Sequence, residues 1–116
     1  MKKRALILTG IMLLFAVALI AESKSNLMYF EVGPNPMDEK CMIELGFAED
    51  TGIVLTIETL RGEVIRTIYS GDVGKHQIFY WERDDAHGNW VSAGTYEVVV
   101  NYQSRYTSTK KTLILK

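Results

Sequence analysis

Apolar and polar residues alternate in short stretches along most of this chain. Cys41, Ile43, Leu45 and Phe47 are interleaved with Met42, Glu44 and Gly46, and Ile53, Leu55 and Ile57 follow with Thr56 and Glu58 opposite. Tyr96, Val98, Val100 and Tyr102 alternate with Glu97, Val99 and Asn101; Thr109, Lys111, Leu113 and Leu115 alternate with Lys110 and Ile114. A period of two puts every second side chain on one face of a strand. Turn formers punctuate these runs: Gly33-Pro34-Asn35-Pro36, Glu49-Asp50-Thr51-Gly52, Leu60-Arg61-Gly62-Glu63 and Ser70-Gly71-Asp72-Val73-Gly74. Gly62 is free to take the positive φ that a tight hairpin asks for. With Met28 to Val32, Val64 to Tyr69 and His76 to Trp81 as further strands, the pattern predicts an all-β sandwich of about seven antiparallel strands.

The N-terminus breaks this pattern. Met1-Lys2-Lys3-Arg4 precedes an apolar run from Ala5 to Ala21, interrupted only by Thr9 and Gly10. A basic start followed by such a run reads as a secretory signal helix. Its 17 residues fall just short of the roughly 18 expected of a membrane span. Ala21-Glu22-Ser23 places small residues at the −3 and −1 positions, so cleavage is expected between Ser23 and Lys24, giving a leader (1–23) and one domain (24–116). A retained leader would instead anchor the domain to the membrane, its one expected membrane contact.

Removing Lys2, Lys3, Arg4 and Glu22 leaves 10 basic and 13 acidic residues, a net of −3. That balance argues against a nucleic-acid partner, which needs a basic face. Cys41 is the one cysteine, so an internal disulfide is excluded; it lies within an apolar alternation and reads as a buried thiol.

The chemistry-bearing letters crowd into Trp81 to Tyr96, "WERDDAHGNWVSAGTY". Asp84, Asp85 and His87 would have to converge to bind a metal or share a proton, yet they are near neighbours on one loop. Ala86 also breaks the oxygen pattern of a calcium loop. The simpler reading makes Asp84, Asp85, Gly88 and Asn89 turn formers. Trp81 then packs inward, Trp90 and Val91 cover the end of the sandwich, and Ala93-Gly94 bends the chain into the next strand. We therefore expect no catalytic residue, metal site or cofactor.

A Trp, a polar turn with Asp, a Gly seven residues on and then "VSAGTY" resembles the FlgD-like immunoglobulin-like domain and the related C-terminal sorting domains of type IX secretion. "GPNPM" is similar to that family's opening P-N-P-F, "VLTIETLRGEVIRTI" to its paired strands, "SGDVGKHQIFYW" to its lead into the Trp strand, and "STKKTLILK" to its closing strand. The resemblance covers Asn35 to Lys116 and rests on five motifs in order. It implies an immunoglobulin-like sandwich with structural roles for Asn35, Pro36, Gly62, Trp81, Gly88, Gly94 and Tyr96. It also implies recognition of the last strand by secretion machinery through Leu113, Leu115 and Lys116.

Three departures stand out. Glu82-Arg83 occupy the family's Asp-Gly position, and Glu58-Thr59 replace Tyr-Asp. His76 to Trp81 is one residue longer than the family's segment, which predicts a bulge. Sorting domains are tails on larger exported proteins, whereas these 116 residues read as a leader and the domain. The resulting expectation is a non-catalytic exported module of the periplasm, cell surface or medium that binds a protein, either secretion machinery or another envelope protein. The alternatives are a carbohydrate-binding module stacking sugars on Tyr80, Trp90 and Tyr102, and, least favoured, a small hydrolase using Asp84, Asp85 and His87. The hydrolase would need those groups to meet His76 or another acid.

Overall fold

The computed structural model describes residues 26–103 and 107–116; the leader, with Ser23 and Lys24, lies outside them. Seven strands are present among the described residues: β1 (Leu27–Gly33), β2 (Cys41–Phe47), β3 (Thr51–Thr59), β4 (Val64–Val73), β5 (His76–Trp81), β6 (Gly94–Tyr102) and β7 (Thr107–Leu115). They form two antiparallel sheets, ordered β1-β2-β5 and β4-β3-β6-β7.

The alternation in the sequence is realised in the packing. Cys41, Ile43, Leu45 and Phe47 from the smaller sheet are buried in one core with Ile53, Leu55, Ile57, Val98, Val100, Leu113 and Leu115 from the larger. Phe47 on β2 meets Tyr102 on β6 edge to face, with ring centroids 5.7 Å apart. Tyr69 on β4 meets Phe79 on β5 at 5.1 Å. These ring pairs join the sheets. Met37, from the connection between β1 and β2, is fully buried beside them. The Cys41 thiol is 1 % exposed, and burial pushes its pKa up to about 11 against a weaker opposing hydrogen bond with the Trp81 backbone.

Leu60-Arg61-Gly62-Glu63 closes the β3–β4 hairpin, with Gly62 at φ 89° and Thr59 N–H donating to the Glu63 carbonyl at 2.9 Å. Two expectations need correction. Ser70 to Val73 is not a loop: β4 runs on to Val73 because Ser70, Gly71, Asp72 and Val73 each find a partner on β3, from Val54 back to Thr51. Turn-forming letters yield here to an available ladder. Nor does β5 bulge, since its register against β2 is unbroken from Trp81 opposite Cys41 to His76 opposite Gly46. Register irregularities occur instead between β3 and β4, at Leu55/Thr56 and Ile57/Glu58.

Trp81 ends β5 at 1 % exposure, and its indole N–H donates to the Asp84 carbonyl at 2.9 Å. Trp81→Ala should destabilise the domain by about 3–5 kcal/mol through the lost transfer energy and the cavity left behind. Urea denaturation measures this; an unchanged midpoint would mean that Trp81 is not a core residue.

Candidate functional site

The loop after Trp81 builds a small hairpin. Asp84 bridges to Trp90 across it. Asp85 Oδ1 accepts the backbone N–H groups of His87 at 2.8 Å and Asn89 at 2.9 Å, while Asp85 N–H donates to the Asn89 carbonyl at 2.9 Å. Gly88, at φ 83°, supplies the left-handed turn. The loop is then pinned to β4. Arg66 donates to the Asp85 carbonyl at 3.0 Å and pairs with the Asp84 carboxylate at 3.5 Å, and Ala86 N–H donates to the Ile65 carbonyl at 3.0 Å.

Both acids are therefore occupied by architecture, and the His87 side chain is exposed. His76 stands at the far end of β5, where its Nε2 lies 2.6 Å from a Glu44 oxygen on β2. The structure thus does not bring Asp84, Asp85 and His87 together with His76. Among the described residues, no group of three or more His, Cys, Asp or Glu side chains could hold a metal ion. The aromatics of the carbohydrate reading are also dispersed. Tyr102 is buried in the core, while Tyr80 and Trp90 are exposed. Trp90 does not cover the sandwich end as expected; it is 61 % exposed, and the Arg83 guanidinium stacks on its ring at 4.5 Å.

What the structure does assemble surrounds the end of β7. Asn35 closes over the backbone with both ends of its amide: Nδ2 donates to the Thr112 carbonyl at 2.8 Å, and Oδ1 accepts Ile114 N–H at 2.9 Å. Met37 continues beside it as a short parallel bridge to Leu115. Its N–H donates to the Ile114 carbonyl at 2.8 Å, and its carbonyl accepts Lys116 N–H at 3.0 Å. Arg83 completes the clasp. Its guanidinium donates from Nε to the Val91 carbonyl at 2.8 Å, and from the two terminal nitrogens to the carbonyls of Asp38 at 2.5 Å and Lys116 at 2.8 Å.

Arg83 has φ 62° and is 4 % exposed. Its backbone is left-handed, a conformation that favours glycine, and its side chain ties three segments together. Sequence reasoning missed it; the signal available was a charged residue standing at a glycine position. The other motif residues sit at turns and ends. Pro36 is exposed between Asn35 and Met37, Gly94 opens β6 at φ 156°, and the Tyr96 hydroxyl donates to the Ser92 carbonyl at 2.9 Å. That last bond is the corner used by tyrosines at strand starts in immunoglobulin-type sandwiches. Leu113 and Leu115 point into the core at 0 % and 2 % exposure, while Lys116 is exposed, with its ammonium 3.9 Å from the Asp38 carboxylate. A partner meeting folded β7 would therefore find its backbone and its outward side chains, not the two leucines.

No protein-family model matches the sequence, and no match was found among curated proteins. Solved structures do match in fold. The dimeric latent PorU of Porphyromonas gingivalis matches with a TM-score of 0.61 at 18 % identity, over 74 % of this chain and 9 % of PorU. PorZ of the same organism, an essential bacterial surface component of its type IX secretion system, matches with a TM-score of 0.52 at 20 % identity, over 75 % of this chain and 11 % of PorZ. The chain thus matches about a tenth of the length of either protein.

Two outcomes follow. Arg83→Ala should cost about 3 kcal/mol, because three carbonyls lose their donor; Arg83→Gly should cost about 1 kcal/mol less, because it relieves the left-handed strain. Paired urea denaturation curves check the order, and equal losses would contradict it. Separately, the backbone N–H groups of Asn89 and then His87 hold the Asp85 carboxyl below its usual range. A depressed folded pKa contributes stability above the unfolded pKa, about 3.9, and loses it as pH falls through the folded value. The melting-temperature gap between wild type and Asp85→Ala should therefore be full at pH 6 and shrink below pH 4; a gap constant to pH 2 would contradict it.

Proposed function

We propose that this chain is a non-catalytic, exported, immunoglobulin-like β-sandwich that works by binding a protein of the bacterial envelope, as a module of the type IX secretion kind. The observation that carries this reading is its fold likeness to pieces of PorU and PorZ, the latter a surface component of that system. The site geometry supports it from the other side. The loop that concentrates acids and histidine spends them on its own turn and on β4, and the polar groups around Arg83 serve the end of β7. Oriented nucleophile–base pairs of the kind that enzymes use have no counterpart in either place. For the sugar-binding alternative, Tyr102 is buried and cannot join Tyr80 and Trp90 in a stacking face.

Cross-linking in intact cells of the source bacterium, followed by purification of the chain, tests the proposal. One envelope protein should be recovered in an amount comparable with the chain, and deleting the gene should lower the surface display of proteins that carry type IX sorting tails. A chain recovered alone, with a hydrolytic activity lost in Asp85→Ala and His87→Ala, would contradict it.

A further inference from the structure

Two sheets present four edge strands, and unpaired edges invite other strands. Two of the four, β4 and β1, are irregular here. β4 shifts register twice, is bonded by Ala86 at Ile65 and meets β5 through Tyr69 and Phe79. β1 has a register irregularity between Leu27 and Tyr29. β7 is different, because only its second half is closed.

In an antiparallel strand, the N–H and C=O of one residue point to the same side, and successive residues alternate. Thr112, Ile114 and Lys116 turn these groups outward, to Asn35, Met37 and Arg83. Continuing the alternation back along the strand, Ser108 and Lys110 also point outward. Neither they nor Thr112 N–H has a hydrogen-bond partner on that side among the described residues. Ser108, Lys110 and Lys111 are exposed. Lys111 reaches 6.0 Å from the centre of the Phe30 ring on β1, so the open half-edge and β1 flank one side of the molecule.

We propose that this half-edge, Ser108 to Thr112, is the docking site of the protein-binding module inferred above, and that its occupant is an extended acidic segment of another protein, added as a strand. Main-chain bonds from Ser108, Lys110 and Thr112 supply the pairing, as in other strand-addition complexes. Charge selects the partner. Lys110 and Lys111 have no acidic partner within 4 Å among the described residues. A second copy pairing antiparallel here would set these lysines against each other, which is unfavourable, whereas acidic side chains alongside would be attracted. Asn35 and Met37 already show this strand accepting an added segment on its outer side.

The test uses the folded chain and the eight-residue peptide Glu-Glu-Val-Glu-Glu-Val-Glu-Glu, which as a strand presents acids on both faces, matching Lys110 and Lys111 on the two faces of β7, with the corresponding Lys peptide as control. Binding of the Glu peptide should slow hydrogen exchange of the Ser108, Lys110 and Thr112 amides. Lys110→Glu and Lys111→Glu should each weaken it about tenfold or more. Ser108→Pro, which removes an outward donor on an edge where proline is tolerated, should leave the melting curve in place and weaken binding. Failure of the Glu peptide to bind, equal binding of the Lys peptide, or protection elsewhere would overturn the proposal. Photo-cross-linkers at Ser108 and at exposed Ile78, on the outer face of the other sheet, separate it from the broader reading in cells. Capture at Ile78 alone overturns the edge site and leaves the module standing; capture at neither overturns both.

Discussion

The structure depends on holding the outer side of one strand. β7 carries Leu113 and Leu115 into the core, so its end must stay in place for the two sheets to stay together. Yet β7 is the last strand of its sheet, and its outward backbone groups would otherwise be satisfied by water alone. The chain answers with main-chain recognition from outside the sheet. A single asparagine amide presents one donor and one acceptor with the spacing of a strand's own ladder, and Met37 extends that ladder by one parallel bridge. Arg83 then reaches across from the loop after Trp81.

This requirement accounts for where the unusual letters lie. The segment from Pro34 to Asp38 makes no strand of its own, but it closes the edge of the sheet opposite. The loop from Glu82 to Val91 does the same for β4 through Ala86 and Arg66, and places Arg83 over the last residue. Its acids act as turn and anchor groups. Arg83, buried, is held by three backbone oxygens and the face of Trp90. A non-glycine residue at a left-handed position costs strain, and here that residue makes bonds that glycine could not.

The strands were legible in the sequence because each buries one face, and a half-buried strand must alternate. The hairpin at Gly62 was legible because a positive φ favours glycine. The same logic misread Ser70 to Val73, where Gly and Asp looked like a turn but β3 was long enough to pair with them. The bulge was expected on β5 from its length, but β5 pairs regularly and the irregularities lie between β3 and β4, which composition does not reveal. Arg83 showed only as a charge where the resembled pattern has glycine; its left-handed backbone and burial leave no trace in residue type. Asn35 was singled out by resemblance, but its two bonds join positions 77 and 79 residues away. Long-range pairings of that kind are set by the fold and not by local pattern.

Native-state hydrogen exchange on the free protein tests most directly whether β7 is closed over its second half and open over its first. The outward-facing amides divide on this account. Those of Ile114 and Lys116, bonded to Asn35 and Met37, should exchange as slowly as core strand amides, while those of Ser108 and Lys110 should exchange orders of magnitude faster. In Asn35→Ala, Ile114 should lose its protection while the odd-numbered amides bonded to β6 keep theirs. Uniform protection along β7, or fast exchange at Ile114 in the wild type, would contradict the account.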